Sequence, residues 1–182
     1  FHLLVGINAL FQNKVSDAER HLQRSMEIRD LAPEADFDRR AEARYFLSEV
    51  LYRQGRYKEA LTLNKAGLLL REKDPEPRED KKAYNLHGIG MNLLALGELR
   101  EAQSYFERTL SIRKNLQPRL MRETLNQLAE TQFYLAQTLW ALGDKSQRKV
   151  ALAYAREAQG NYIKWGNRPD NLLAAVTAWL AA

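Results

Sequence analysis

One pattern recurs along the chain at a nearly constant distance. The clearest copy is 93–113, which reads LLALGELREAQSYFERTLSIR; the stretches 51–71 and 9–29 match it in register, and a looser copy follows at 139–159. Each copy holds Gly or Asn, residues that tolerate the left-handed conformation ending a helix, at the same point. These turn residues, 42, 42 and 46 positions apart, are Asn13, Gly55, Gly97 and Gly143.

Small residues flank the turn residues at constant offsets. Seven positions before each turn residue stand Gly6, Ser48, Gly90 and Ala136. Five positions after the first three stand Ala18, Ala60 and Ala102, and twelve after them stand Ser25, Gly67 and Thr109. Two antiparallel helices can approach closely only where neither carries a bulky side chain at the contact. The pattern therefore predicts tandem helix–turn–helix units, and each of the first three ends in Ile-Arg or Leu-Arg.

The pattern resembles the tetratricopeptide repeat (TPR), which has a small residue in its first helix, Gly at the turn, and Ala early in the second helix followed four positions later by a bulky residue. That last position holds Leu22, Asn64 and Phe106 here. The usual unit has about 34 residues. The longer unit and its Arg ending are similar to the repeats of kinesin light chains and of bacterial regulators with TPR arrays. The resemblance implies an all-α fold, a right-handed superhelical solenoid of antiparallel helix pairs.

The resemblance covers nearly the whole chain and predicts a single TPR domain, 1–182. Its repeats fall at about 1–33, 34–75, 76–117 and 118–166, and a capping helix follows at 170–182. The Pro-rich segment 74–77 reads as a loop between repeats, because the turn residues on both sides keep their spacing. The chain starts at Phe1, without Met and in mid-repeat, so we interpret it as a fragment of a longer protein.

Local signals predict where several helices begin. The sequence Ser-Asp-Ala-Glu at 16–19 is a capping-box pattern and predicts the start of the second helix. Asp36 or Asp38 is expected to cap the third helix. In the fourth repeat the second helix is predicted at 151–165, after an insertion that shifts its Ala. A short last helix is predicted at 171–182, with Trp179 as its largest apolar group.

Composition excludes several classes of protein. The 182 residues are 45% hydrophobic and 28% charged, which is ordinary for a soluble helical protein. Cysteine is absent, which excludes disulfides and thiol catalysis. No run of about 18 apolar residues and no signal peptide is visible, so we predict no membrane insertion and a cytoplasmic location.

Residues for catalysis or metal binding are scarce. The histidines, His2, His21 and His87, include no pair at the four-residue spacing of a helical metal site. The motifs of zinc proteases, phosphate-binding loops and serine hydrolases are absent. We therefore predict no catalytic, cofactor-binding or metal-binding residue, no cofactor and no enzymatic activity.

The net charge of +5 has two readings. Acidic and basic residues alternate throughout, which favours a mildly basic, solvated surface. Short basic clusters occur at Arg39, Arg40 and Arg44, at Lys81 and Lys82, and at Lys145, Arg148 and Lys149. None is as long as the like-charge blocks typical of nucleic-acid-binding tails, so nucleic-acid binding is disfavoured.

The TPR resemblance implies a binding surface, because in that fold the first helix of each pair lines the concave groove. The groove positions of repeats two to four hold Glu42, Tyr45, Glu49, Tyr52, Tyr84, His87, Met91, Leu94, Glu130, Phe133, Gln137 and Trp140. Aromatic residues and Met with a few polar groups suit an extended peptide or an inserted helix. The alternative is that some of these side chains pack between repeats or under the capping helix.

One TPR ligand class is disfavoured. TPR proteins that hold the C-terminal tails of Hsp70 and Hsp90 clamp a carboxylate with Lys and Asn. The corresponding positions here hold Leu3, Ile7, Phe46, Tyr84 and Gly88. A chaperone cofactor of that kind is therefore not expected.

Two functions remain from the resemblance. The first is a scaffold or sensor module that binds a peptide or protein segment in its groove. The alternative is a regulatory domain that acts within its own chain, packing on a kinase, ATPase or DNA-binding domain of a bacterial multi-domain regulator. RNA binding, a third and less favoured function, predicts steep salt dependence.

Overall fold

The computed structural model describes residues 1–31, 36–76, 78–116, 122–166 and 172–182, with the backbone alone for 122–124. All regular structure in these segments is α-helical, which confirms the predicted all-α class. The helices are α1 (His2–Phe11), α2 (Val15–Asp30), α3 (Phe37–Arg53), α4 (Tyr57–Lys73), α5 (Glu79–Ala95), α6 (Leu99–Leu116), α7 (Arg122–Leu142), α8 (Lys145–Trp165) and α9 (Leu173–Ala181).

The chain forms two compact units, an N-terminal unit (Phe1–Leu96) and a C-terminal unit (Gly97–Ala182). The N-terminal unit holds α1 to α5 and the C-terminal unit holds α6 to α9. The predicted boundaries at 33/34 and 117/118, the end of the predicted loop at Pro77, and the predicted starts of the last helix at 170 and 171 lie outside the described residues. Each unit is described by itself.

The four turn residues adopt the left-handed conformation that their identity predicts. Their φ angles are 58° at Asn13, 77° at Gly55, 82° at Gly97 and 82° at Gly143. After the first two, the backbone N–H of Lys14 and of Arg56 donates to the carbonyl five residues back, at 2.9 Å in each case. Each bond satisfies a carbonyl at the end of the first helix while the chain reverses into the second.

The small residues let the helices of a pair meet closely, as predicted. Ala18, Ala60 and Ala102 are fully buried. At Gly6 in α1, an added Cβ would lie 2.7 Å from Cγ of Leu22 in α2, closer than real Cβ contacts. A larger residue at that point would push the two helices apart.

The short helix α9 packs on the end of the C-terminal unit. Val176 is fully buried, and the ring of Trp179 lies edge-on to that of Phe133 in α7, with 6.1 Å between centroids. Gln159 Nε2 in α8 donates to Thr177 Oγ1 at 3.0 Å. These contacts cover apolar surface of α7 and α8 with the uncharged segment Leu173–Ala181.

Two predicted helix starts are wrong. The capping box at 16–19 does not form: α2 begins at Val15, no side chain caps it, and Asp17 bonds Arg20 at 3.0 Å instead. The left-handed residue before Lys14 already brings the chain into helical geometry by Val15. The second helix of repeat four begins at Lys145, six residues before the predicted start.

Two Asp side chains explain the wrong start predicted for α8 and the correct cap predicted for α3. Asp144 accepts the backbone N–H of Ser146 at 2.7 Å and so caps α8 directly after the turn, which makes the supposed insertion helical. Asp36 accepts the backbone N–H of Arg39 at 3.1 Å, which confirms it as the cap of α3.

A substitution at Gly55 should separate backbone strain from packing. A Cβ built there has no neighbour within 4 Å, so any penalty comes from its positive φ. We expect Gly55→Val to lower the free energy of unfolding by about 1–2 kcal/mol. Gly55→Asn, which tolerates this conformation and occurs at the first turn residue, should cost far less. Urea denaturation measures both, and equal costs would contradict the role of the turn.

Trp179 should contribute to stability through its contact with α7. Because its side chain is half-buried, Trp179→Ala should lower the free energy of unfolding by less than the roughly 3–5 kcal/mol of a fully buried aromatic. Ala178→Ser, on the exposed side of α9, is the control and should change little. If Trp179→Ala unfolds at the wild-type urea concentration, α9 does not stabilise the unit.

Candidate functional site

A cleft in the N-terminal unit, which we call the tyrosine cleft, lies among α3, α4 and α5. Its empty volume is about 250 Å³. It is lined by Tyr45, Ser48, Glu49, Tyr52, Asn64, His87, Gly88, Met91 and Asn92. That figure includes the open mouth; the cavity volume inside is about 10 Å³, close to the room that a single water molecule needs.

Helical periodicity brings these side chains to one place. Those from α3 recur at intervals of three and four residues from Tyr45 to Tyr52, so they share one face of the helix. Those from α5 recur in the same way from His87 to Asn92. Asn64 from α4 closes the bottom between the two faces.

Aromatic rings form the mouth of the tyrosine cleft. The ring of Tyr45 lies 5.5 Å from that of Tyr84, and the ring of Tyr52 lies 5.2 Å from that of Tyr57. These tyrosines are only half-buried, so parts of their faces stay accessible. Such rings give large contact areas with little loss of side-chain entropy on binding. Glu49 adds a carboxylate there, which accepts Arg53 Nε at 3.2 Å.

Two buried amides of the lining, Asn64 and Asn92, make the floor polar, and a third buried amide, Asn85, bonds Asn64. Asn64, Asn85 and Asn92 are each at most 2% exposed. Asn85 Nδ2 donates to Asn64 Oδ1 at 3.3 Å, and Asn92 Nδ2 donates to the backbone O of Gly88 at 2.6 Å. A Cβ at Gly88 would lie 2.6 Å from Asn64 Nδ2, so the glycine makes room for this amide.

A buried arginine holds the floor in place. Arg71 of α4 is 3% exposed, and its Nη1 donates to Asn85 Oδ1 at 2.6 Å and to the backbone O of Lys81. Its Nε lies 3.3 Å from Asp38 Oδ1 on α3. Burial lowers the pKa of Arg71, and the charge of Asp38 opposes that shift. One guanidinium thus joins three helices around the cleft.

Arg113 repeats this arrangement in the C-terminal unit. It is 2% exposed, and its Nη1 donates to the backbone O of Gln127 at 2.5 Å and to the hydroxyl of Thr131. In both units the partners stand 16 and 12 residues before the next turn residue. The third spacing between turn residues is four residues longer than the other two, and these four extra residues therefore lie between Arg113 and Gln127.

The described residues contain no group of three or more His, Asp or Glu side chains that could hold a metal ion. The structure does bring together two histidines that the sequence leaves far apart: the Nδ1 atoms of His2 and His21 lie 3.1 Å from each other. None of the described helices is long and apolar enough to cross a membrane.

The family model described as tetratricopeptide repeat matches residues 39–115, which include two turn residues at their expected spacing. This segment is therefore made of tetratricopeptide repeats, which supports the TPR array that the sequence pattern predicts. No curated protein has a sequence similar enough to be matched to it.

Several solved structures have a fold similar to that of this chain. The Rap conjugation gene regulator of the plasmid pLS20, in complex with the Phr* peptide, is 18% identical with a TM-score of 0.69; the match covers 88% of this chain and 41% of the regulator. BtubC (BKLC) from P. vanneervenii is 15% identical with a TM-score of 0.73, covering 96% and 67%. The TPR-like repeats of a Podosopora anserina kinesin light chain are 16% identical with a TM-score of 0.60, covering 99% and 91%.

The structure brings together five of the groove residues that the TPR resemblance implies. These five, which line the tyrosine cleft, are Tyr45, Glu49, Tyr52, His87 and Met91. The other three in the N-terminal unit lie outside its lining: Tyr84 touches Tyr45, and the half-buried Glu42 and Leu94 stand on α3 and α5. Their role in binding a partner stays a prediction.

The groove residues of the C-terminal unit all lie on α7. Phe133 is 4% exposed under α9, so a partner cannot reach it while α9 is in place. Trp140 is 40% exposed, with its ring 5.3 Å from that of Trp179. Glu130 and Gln137 are half-buried.

Sequence reasoning missed four residues of the tyrosine cleft. They are Ser48, Asn64, Gly88 and Asn92. One signal was available: Asn64 occupies a position where the TPR pattern has a bulky residue, and a polar residue at a core position indicates a special contact. The other three, Ser48, Gly88 and Asn92, line the cleft only because of how α3 and α5 pack.

Arg71 offers a test of the polar floor. Arg71→Met should lower the free energy of unfolding by about 3 kcal/mol, because it leaves Asp38 and the amide of Asn85 without their partner. Arg29 is the matched control: it stands at the same repeat position, but among the described residues its side chain bonds only Ser25 Oγ, at 3.3 Å, in its own helix. Arg29→Met should cost under about 1 kcal/mol. Equal losses in chemical denaturation would contradict a special role for Arg71.

Proposed function

We propose that this TPR array is a protein-interaction scaffold or sensor module that binds a peptide or protein segment at the tyrosine cleft. One observation carries the proposal: five residues assigned to the groove from the TPR pattern line a single cleft. TPR is in general a non-catalytic scaffold fold. The proposed role is accordingly binding without catalysis.

The chemistry of the tyrosine cleft favours an extended peptide segment. The ligand lies along the faces of Tyr45 and Tyr52 and sends one small polar group inward. Asn92 Oδ1 is buried and accepts no hydrogen bond from a described residue. A buried acceptor without a donor costs about 1–3 kcal/mol, so an N–H or O–H group that reaches it gains that energy on binding.

Fold similarity gives further support. The solved Rap regulator is in complex with a peptide, so an array with this fold is able to hold one. This chain spans 41% of the length of that regulator. The second candidate follows from the same comparison: the tyrosine cleft binds a segment of a longer chain of its own and regulates it.

The test uses peptides selected from a random phage-displayed library on the wild-type protein. We expect Tyr45→Ala and Tyr52→Ala each to weaken the selected peptides by about tenfold or more, as loss of a central aromatic contact does. Tyr105→Ala, a half-buried tyrosine on α6, is the control and should bind normally. Fluorescence anisotropy gives the affinities, and circular dichroism checks the folding of each variant.

Two outcomes would count against this function. The first is a selection that yields no binding peptide. The second is a set of peptides whose affinity is unchanged by both cleft variants, which would move the binding surface elsewhere on the array.

A further inference from the structure

The last long helix, α8, carries most of the net charge of the chain. It holds five basic residues and one acidic residue, and therefore four of the five net positive charges. All five cations are exposed: Lys145, Arg148, Lys149, Arg156 and Lys164. So uneven a distribution on one helix differs from the alternating charges of the rest of the sequence.

These cations have no carboxylate partner among the described residues. In the N-terminal unit, by contrast, Arg20, Arg44 and Arg56 form ion pairs at 2.7–3.0 Å. Arg148 instead places its guanidinium 5.2 Å from the ring centroid of Trp140. Glu157, the one acid of α8, accepts Gln132 Nε2 at 2.7 Å. The positive charge of α8 is thus not neutralised by the described part of the chain.

Three of the cations lie on one face of α8, which we call the basic face. Lys149, Arg156 and Lys164 follow each other at intervals of seven and eight residues, so they line one side over about 22 Å. Gly160, where an added Cβ has no neighbour within 4 Å, lies between them and leaves the backbone open to close approach. Ile163 stands on the same face with 62% of its surface exposed.

The basic face continues into a cleft between α6 and α8. Lys114 from α6 and Lys164 from α8 both line it, over an apolar floor at Leu128. Its cavity volume is about 430 Å³, and it is widely open to solvent. The side of the helix that carries unpaired charge therefore also offers a concave, partly apolar surface.

Repeat four alone has this character in the C-terminal unit. When α6 and α8 are aligned on Ala102 and Ala151, the three positions of the basic face correspond in α6 to Arg100, Glu107 and Asn115. These carry no net charge, so the repeat pattern does not require a basic face.

We propose that the basic face docks an acidic segment of a partner protein. Carboxylates of the segment pair with Lys149, Arg156 and Lys164, and an apolar side chain of the segment covers Ile163. Complementary charge of this kind speeds association and selects the partner, and the apolar contact adds affinity.

The surface favours protein over nucleic acid. An exposed Ile such as Ile163 contributes nothing to phosphate binding, whereas an apolar side chain of a protein segment can cover it. The three cations of the face are interleaved with no exposed aromatic residue on which bases would stack.

The test uses a fluorescein-labelled helical peptide of Glu, Ala and Leu, about 20 residues long to match α8. Charge reversal of the basic face, Lys149→Glu, Arg156→Glu and Lys164→Glu together, should weaken binding by about tenfold or more. The wild-type affinity should fall as salt is raised from roughly 0.05 M to 0.3 M. The same peptide with Lys in place of Glu should not bind.

The chain offers a matched control for charge reversal. Lys58, Lys65 and Lys73 on α4 are exposed and have the same spacing and the same positions relative to the repeat Ala. Reversing these three should leave peptide affinity within about twofold, because they lie on a different helix and are not part of the basic face. An equal loss in both triple variants would mean that only net charge matters and would overturn the proposal.

A second comparison separates docking from plain ionic adsorption. Ile163→Ser should weaken the acidic peptide several-fold, whereas Leu69→Ser, at an exposed apolar position on α4, should not. Three results would overturn the proposal: no binding of the acidic peptide, no effect of Ile163→Ser, or tighter binding of an oligothymidylate that depends on the basic face. Circular dichroism of every variant confirms that the helices remain folded.

Discussion

The fold of each unit depends on a buried guanidinium that binds the backbone of the following helix. Arg71 and Arg113 sit at the ends of their repeats, and each donates to a carbonyl and a side chain on the next helix. A cation taken out of water requires this full set of partners, so the arrangement tolerates little displacement. The next helix is thereby held at one position along its axis, which apolar packing alone specifies less sharply.

The tyrosine cleft is a product of this constraint. Arg71 fixes Asn85, Asn85 bonds Asn64, and Asn64 closes the space between α3 and α5. The cleft consequently has a polar floor that hydrogen bonds keep in position, and a mouth formed by half-buried tyrosines. The C-terminal unit has the same guanidinium contact in different surroundings. There, α9 covers Phe133, and the exposed cations lie on α8. One repeat design thus presents two distinct surfaces.

Sequence alone predicted the features that depend on local rules. Left-handed turn residues and small residues at helix contacts follow from backbone geometry and periodicity. It failed where several rules compete or where tertiary structure decides. The capping-box pattern at 16–19 does not set the start of α2, because the preceding turn already starts that helix at Val15. Asp144 starts α8 at Lys145, so the segment interpreted as an insertion is helical. The burial of Phe133 depends on where α9 packs, and the partner of Asn64 lies 21 residues away on another helix.

The amide pair between Asn64 and Asn85 also gives the repeats an order. Twelve residues before its turn residue, repeat three has Asn85, whereas repeat two has Ala43 at the equivalent point. If repeat two were followed by a copy of itself, Asn64 would face a methyl group and lose its partner, at a cost of about 1–3 kcal/mol. Arg71 would meet the same mismatch. The contact between repeats two and three is therefore specific to this pair, and duplicating repeat two at that point would lower the stability of the N-terminal unit.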